Sequence, residues 1–93
     1  MMTSSLETRT LTVTVRYFAG AKAAAGCGSE ALTVPTGTTV AALVEAIASD
    51  HGEALVKVLA ASSFLLDGTA VHSRDEVLAD GAVVDVLPPF AGG

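Results

Sequence analysis

"TLTVTVRYF", Thr10 to Phe18, sets Leu11, Val13, Val15 and Tyr17 in strict alternation with threonines and one arginine. Successive side chains of a strand point to opposite faces, so this period of two predicts a strand with one face buried, and its β-branched residues suit that conformation. The sheet built on this strand has to find its remaining strands and its covering layer further along the chain. The stretch that follows, "AGAKAAAG", predicts a short helix ended at Gly26 by a left-handed cap. "SEALTVP" then supplies a second strand around Ala31 to Val34, closed by Pro35 and Gly37.

Beyond Gly37 the period changes. Val40, Leu43, Val44 and Ile47 fall at i, i+3, i+4 and i+7, one face of a helix that Thr38 or Thr39 caps and that stops near His51-Gly52. No Glu lies three residues after either threonine, so a full capping box is absent. "EALVKVLA" suits a short helix or a strand, with helix preferred. "SFLLDGTAV" predicts a hairpin turning at Asp67-Gly68, because glycine accepts the positive φ of a tight turn. After a second turn at Asp80-Gly81, "AVVDVLP" makes a closing strand that Pro88 ends for want of a backbone donor. The order strand, short helix, strand, helix, hairpin, strand is α+β: one mixed sheet packed on one main helix plus short helices. Residues 1–9 are expected to form a disordered N-terminal tail, 10–87 the domain, and 88–93 a flexible C-terminal segment, Pro-Pro-Phe-Ala-Gly-Gly.

Composition narrows the function. A chain of 93 residues, 51% of them hydrophobic, suits one compact domain. At that size about 60–68% of the unfolded surface is buried, enough for a modest core without a deep substrate cavity. Ten acids against five bases give a net charge of -5, which opposes nucleic acid and anionic lipid, so neither is an expected partner. The longest apolar run, Val40 to Val44, is far short of the roughly 20 residues that cross a bilayer. "MMTSSLETRT" lacks the basic start and apolar stretch of a secretory signal. One cysteine, Cys27, and two distant histidines make neither an internal disulfide nor metal-ligand spacing. A reducing cytoplasm is the expected setting, with no bound cofactor.

The functional signal lies at the other end, in "LPPFAGG", Leu87 to Gly93. Gly92 and Gly93 have no Cβ, so their backbone passes through a narrow channel and the carbonyl carbon of Gly93 is open on both faces. An ionised carboxylate is a poor electrophile and needs activation, for instance by adenylation. No GxxxxGK[ST] loop is present, so a partner must handle the ATP. Pro88 and Pro89 hold the segment extended and lower its ordering entropy, while Leu87 and Phe90 supply apolar burial for docking.

"VRYFAGAKAAAG", Val15 to Gly26, together with "DVLPPFAGG", Asp85 to Gly93, resembles the small, sulfur-carrying subunit of molybdopterin synthase, a ubiquitin-like β-grasp family that includes MoaD and ThiS. The resemblance runs from about Leu11 to Gly93. It implies that an E1-like activating enzyme adenylates Gly93 using ATP and magnesium, that sulfur is installed there as a thiocarboxylate, and that the loaded end enters the large synthase subunit. There it gives sulfur to a cyclic pyranopterin precursor, and two deliveries build a dithiolene. Gly92 shares the reactive end with Gly93. Leu87, Pro88, Pro89, Phe90 and Ala91 are implied partner contacts, joined by Phe64 and Leu66 of the hairpin. The Asp67-Gly68 turn departs from the asparagine-containing turn of many relatives. On this reading the chain carries a reactive group and does not catalyse alone.

Three alternatives stay open: a sulfur carrier for another pathway (cysteine, thiamine thiazole or thiolated tRNA), a ubiquitin-like protein modifier, and a plain interaction domain. Cys27 is expected to be an idle thiol, His51 a helix-end residue, His72 a surface residue, and Lys22 and Lys57 solvated.

Overall fold

The computed structural model describes residues 9–89, so the expectations for the segment before Arg9 and for Phe90, Ala91, Gly92 and Gly93 lie outside the described residues. Eight elements follow in order: β1 (Thr10–Tyr17), α1 (Gly20–Ala25), β2 (Ser29–Pro35), α2 (Val40–His51), α3 (Glu53–Ala61), β3 (Ser63–Leu66), β4 (Thr69–Ala70) and β5 (Val83–Leu87). The strands form one mixed sheet in the order β2-β1-β5-β3-β4. β1 pairs antiparallel with β2 and parallel with β5, and β3 pairs antiparallel with both β4 and β5. This is the α+β, β-grasp arrangement expected.

Alternation in β1 has the predicted outcome. Val13, Val15 and Tyr17 are buried and Leu11 half-buried. The register sets Val15 beside Val84 and Tyr17 beside Val86, which in turn lies opposite Phe64. These residues make one apolar face, and Ala21 of α1, Val40, Leu43 and Ile47 of α2, and Leu55 and Leu59 of α3 complete the core against it. A buried Val or Leu side chain contributes roughly 1.5–3 kcal/mol relative to exposure, so this face holds the domain together.

The helices form for local reasons. Gly26 caps α1 in the left-handed conformation, its N–H donating to Lys22 O at 2.9 Å. "EALVKVLA" is helical, with Leu55 and Leu59 one turn apart on the buried side and Val56 turned outward. Gly52, with φ 92° and ψ -169°, breaks α2 from α3, a backbone that L side chains rarely adopt.

The start of α2 is satisfied by means the sequence does not advertise. Thr39 Oγ1 accepts from Ala42 N at 3.1 Å, the expected cap. Two further free N–H groups are met by the 71–82 loop: Val40 N donates to Glu76 O at 3.0 Å and Ala41 N to Arg74 O at 2.9 Å. These first-turn donors are therefore met by a loop distant in sequence, which is anchored by buried Leu78 and its N–H bond to Thr38 O at 2.9 Å.

The hairpin turns where predicted, Asp67 and Gly68 having φ of 50° and 85°. Positive φ at both central residues is the pattern whose twist matches antiparallel strands. Asp67 also reaches β5: its Oδ1 accepts from Val83 N at 2.9 Å.

Candidate functional site

Strand β5 is central. It is bonded to β1 on one side and β3 on the other, so freeing it breaks two ladders. Pro88, which has no N–H, ends the strand; it is half-buried and Pro89 is exposed. The described chain therefore leaves the sheet from its central strand rather than from an edge.

Parity decides what surrounds this exit. Because Val84 and Val86 face the core, Val83, Asp85 and Leu87 face the other side of the sheet, which the helices leave open. Leu87 pairs with Ser63 and is half-buried. Phe18 lies alongside, its N–H donating to Val86 O at 3.3 Å, and its side chain is 41% exposed. Arg16 points to the same open face and pairs with Asp85 in register. Its Nε donates to Asp85 Oδ1 at 2.5 Å and its Nη2 to Oδ2 at 2.9 Å, with the guanidinium 5.9 Å from the centroid of the Phe18 ring.

The hydrogen bond to Asp85, and then its negative charge, raise the Arg16 pKa further and keep the guanidinium charged. Asp85, 4% exposed, is the one buried charged side chain among the described residues, and the two-pronged pairing neutralises it. The exit is therefore flanked by an apolar spot, Phe18 and Leu87, beside a compensated ion pair on a chain of net charge -5. Such a surface suits contact with another protein's apolar surface.

The expected site residues separate. Leu87, Pro88 and Pro89 stand at the exit as placed from sequence; Phe90, Ala91, Gly92 and Gly93 lie outside the described residues. Phe64 is corrected. It is 4% exposed and belongs to the core, with the Arg74 guanidinium 4.7 Å from its ring centroid, so it presents no free surface to a partner. Leu66 shares its parity and packs half-buried against the core. The hairpin residue on the open side is Leu65, opposite Asp85. Apolar content alone does not separate Leu65 from its neighbours; the pairing of β3 with β5 does. Phe18 could have been found by continuing the β1 alternation one step beyond Tyr17. The Arg16–Asp85 partnership depends on a parallel register that no local pattern encodes.

A second polar cluster lies towards the helices. Tyr17 OH donates to Glu30 Oε2 at 2.5 Å, and His51 Nε2 lies 2.6 Å from the same oxygen. Burial pushes the Tyr17 phenol well up, and the Glu30 hydrogen bond and charge add to this. Burial also acts to raise the Glu30 pKa, but the hydrogen bonds from Tyr17 and His51 and the charge of His51 outweigh it and hold the carboxyl below its ordinary value. His51 is thus a partner of Glu30 as well as a helix-end residue. Half-buried Cys27 lies on an open hollow of about 430 Å³ together with Ala19, Lys22, Ala23 and Gly26. Among the described residues no group of three His, Cys, Asp or Glu side chains is placed to hold a metal, and no helix is long and apolar enough to cross a membrane.

The family model described as "ThiS family" matches residues 15–93. No curated protein matches the sequence. Among solved structures, a candidate molybdopterin converting factor subunit 1 from Pyrococcus furiosus is 34% identical, the match covering 86% of this chain and 99% of that one with a TM-score of 0.78. The complex of subunits 1 and 2 of the molybdopterin-converting factor from Helicobacter pylori contains a chain 26% identical, with 89% of this chain and 100% of that one covered and a TM-score of 0.62. SAMP1 from Haloferax volcanii shares the fold, at 24% identity, 88% and 99% coverage and a TM-score of 0.78.

Proposed function

The chain belongs to the ThiS family, and from that membership we propose that it is a sulfur carrier serving as the small subunit of a molybdopterin synthase. The observation that carries the molybdopterin reading is the 34% identity to the Pyrococcus furiosus protein over nearly all of that chain. The Helicobacter pylori complex of subunits 1 and 2 supports a large synthase subunit as the partner.

In this reading an E1-like enzyme holds ATP and magnesium. The carboxylate of Gly93 attacks the α-phosphorus and displaces pyrophosphate, and a sulfur donor then displaces AMP to leave a thiocarboxylate. Gly92 and Gly93 thread the loaded end into the large subunit, where the sulfur passes to the cyclic pyranopterin precursor. Leu87, Pro88, Pro89, Phe90 and Ala91 guide this end, and Phe18 and Leu87 seat the domain against its partners. The chain supplies the reactive carbon and its rigid mount and needs no resident cofactor. This reading sets the work in the cytoplasm, where ATP and reduced sulfur are supplied.

Co-expression with the activating enzyme, followed by intact mass, tests the reading. The expected product has one oxygen replaced by sulfur and gives up that sulfur when mixed with the large subunit and precursor. Deletion of Gly93 is expected to abolish loading without unfolding the domain. Isopeptide-linked conjugates without a thiocarboxylate would establish a protein modifier instead, and a thiocarboxylate that the large subunit leaves untouched would establish a carrier for another pathway.

A further inference from the structure

The junction between β1 and α1 holds a residue in the wrong place for stability. Ala19 has φ 51° and ψ -126°, a backbone that L residues rarely adopt and that glycine enters freely. It is the first central residue of a tight turn closed by Ala21 N donating to Phe18 O at 3.0 Å, the position where a turn of this hand favours glycine. The next residue is a glycine that has no need to be one. Gly20 is not in the positive-φ region, and a Cβ built on it meets no atom within 4 Å. As the first residue of α1 it would also favour alanine. Exchanging the two residues would relieve the strain, yet the chain keeps alanine where glycine fits and glycine where alanine fits.

The Ala19 methyl is not part of the buried core. Ala19 is exposed, and it lies between exposed Phe18 and the hollow that it lines with Lys22, Ala23, Gly26 and Cys27. Phe18 is itself tied to β5 through Val86 O, one residue before Leu87. The apolar spot at the exit therefore continues through Ala19 onto α1.

We infer that the methyl group of Ala19 is a contact for the protein that receives the carboxyl end, retained against a loss of domain stability. The inference rests on the carrier reading above and deepens it. The partner surface commits to an apolar ridge that covers Phe18 and Leu87 and enters the hollow beside Ala19. The methyl also restricts the turn, so Phe18 is presented in one arrangement before docking, which lowers the ordering entropy of association.

The double variant Ala19→Gly with Gly20→Ala tests this cleanly, because the composition is unchanged and the unfolded-state entropies of the two substitutions nearly cancel. Its melting temperature is expected to rise by roughly 4–8 °C, the response of a domain of this size to relief of one strained residue. Its affinity for the large synthase subunit, measured by calorimetry, is expected to fall about three- to fivefold, the worth of one buried methyl. Gly20→Ala alone keeps the methyl and is expected to bind as the wild type does. A double variant that melts higher and binds with wild-type affinity overturns the inference, as does one that fails to melt higher. A wild-type chain that does not bind the large subunit overturns the synthase reading itself and this inference with it.

Discussion

The two faces of the sheet use polar groups differently. On the covered face Val13, Val15, Tyr17, Val84, Val86 and Phe64 meet the helices, and Glu30 at its margin is compensated by two local partners, Tyr17 and His51. On the open face Asp85 is paired with the side chain of Arg16, which is half exposed, and of the neighbouring apolar residues Phe18 is exposed and Leu87 half-buried. One face is finished by the fold, and the other keeps apolar side chains exposed, which the carrier reading assigns to a partner. An unpaired buried carboxylate would penalise docking there, and the Arg16 fork removes that penalty in advance.

The contrast can be broken by substitution. Leu43→Ala, on the covered side, is expected to lower unfolding free energy by about 2–5 kcal/mol, read from urea denaturation, because Leu43 is fully buried. Phe18→Asp is expected to cost far less stability than Leu43→Ala and to weaken binding to the large subunit at least tenfold, since the exposed part of the ring loses its burial and a carboxylate is desolvated in its place. Leu87→Glu should weaken binding similarly with some loss of stability, as Leu87 ends the strand. A Phe18 variant that unfolds as readily as the Leu43 variant would erase the distinction between the faces.

Arg16→Leu should destabilise by leaving Asp85 unpaired, and the additional change Asp85→Leu should recover most of the loss, because an apolar pair tolerates that site better than a lone charge. Thermal melts of the single and double variants check this. The smallest expected effect is a pH dependence on the covered face. The Glu30 carboxyl is held below its ordinary value of 4.5, so between the folded and unfolded values the unfolded chain binds more protons. Its contribution is present above pH 4.5 and lost as pH falls through the lower folded value. Acid unfolding of Glu30→Gln should show a shallower slope in that window than wild type.

Patterns within one element were legible in the sequence; pairings between elements were not. The alternation of Leu11 to Tyr17, the α2 stripe from Val40 to Ile47, the Gly26 cap and the Asp67-Gly68 turn each rest on a few adjacent residues, and each was readable. The exit strand was marked by Pro88. Phe64 was misplaced because three consecutive apolar residues carry no parity, and only the register of β3 against β5 turns Leu65 to the open face and Phe64 into the core. Arg16–Asp85 and Tyr17–Glu30–His51 were invisible for the same reason: their members are far apart in sequence, and long-range pairing decides which carboxylate meets which base.

The parallel pairing of β1 with β5 has a consequence during synthesis. Arg16 and Asp85 are 69 residues apart, and β3 reaches β1 only through β5. A nascent chain therefore displays its threonine- and valine-rich first hairpin, β1 with β2, without the strand that joins it to β3, until residues 83–87 have left the ribosome. Contacts of such sequence separation form slowly. A translation product broken off before Val83 lacks the central strand that joins the first hairpin to β3, so on the carrier reading a chain without its terminal glycines is also one without the middle of its sheet, open to proteases before an activating enzyme could engage it.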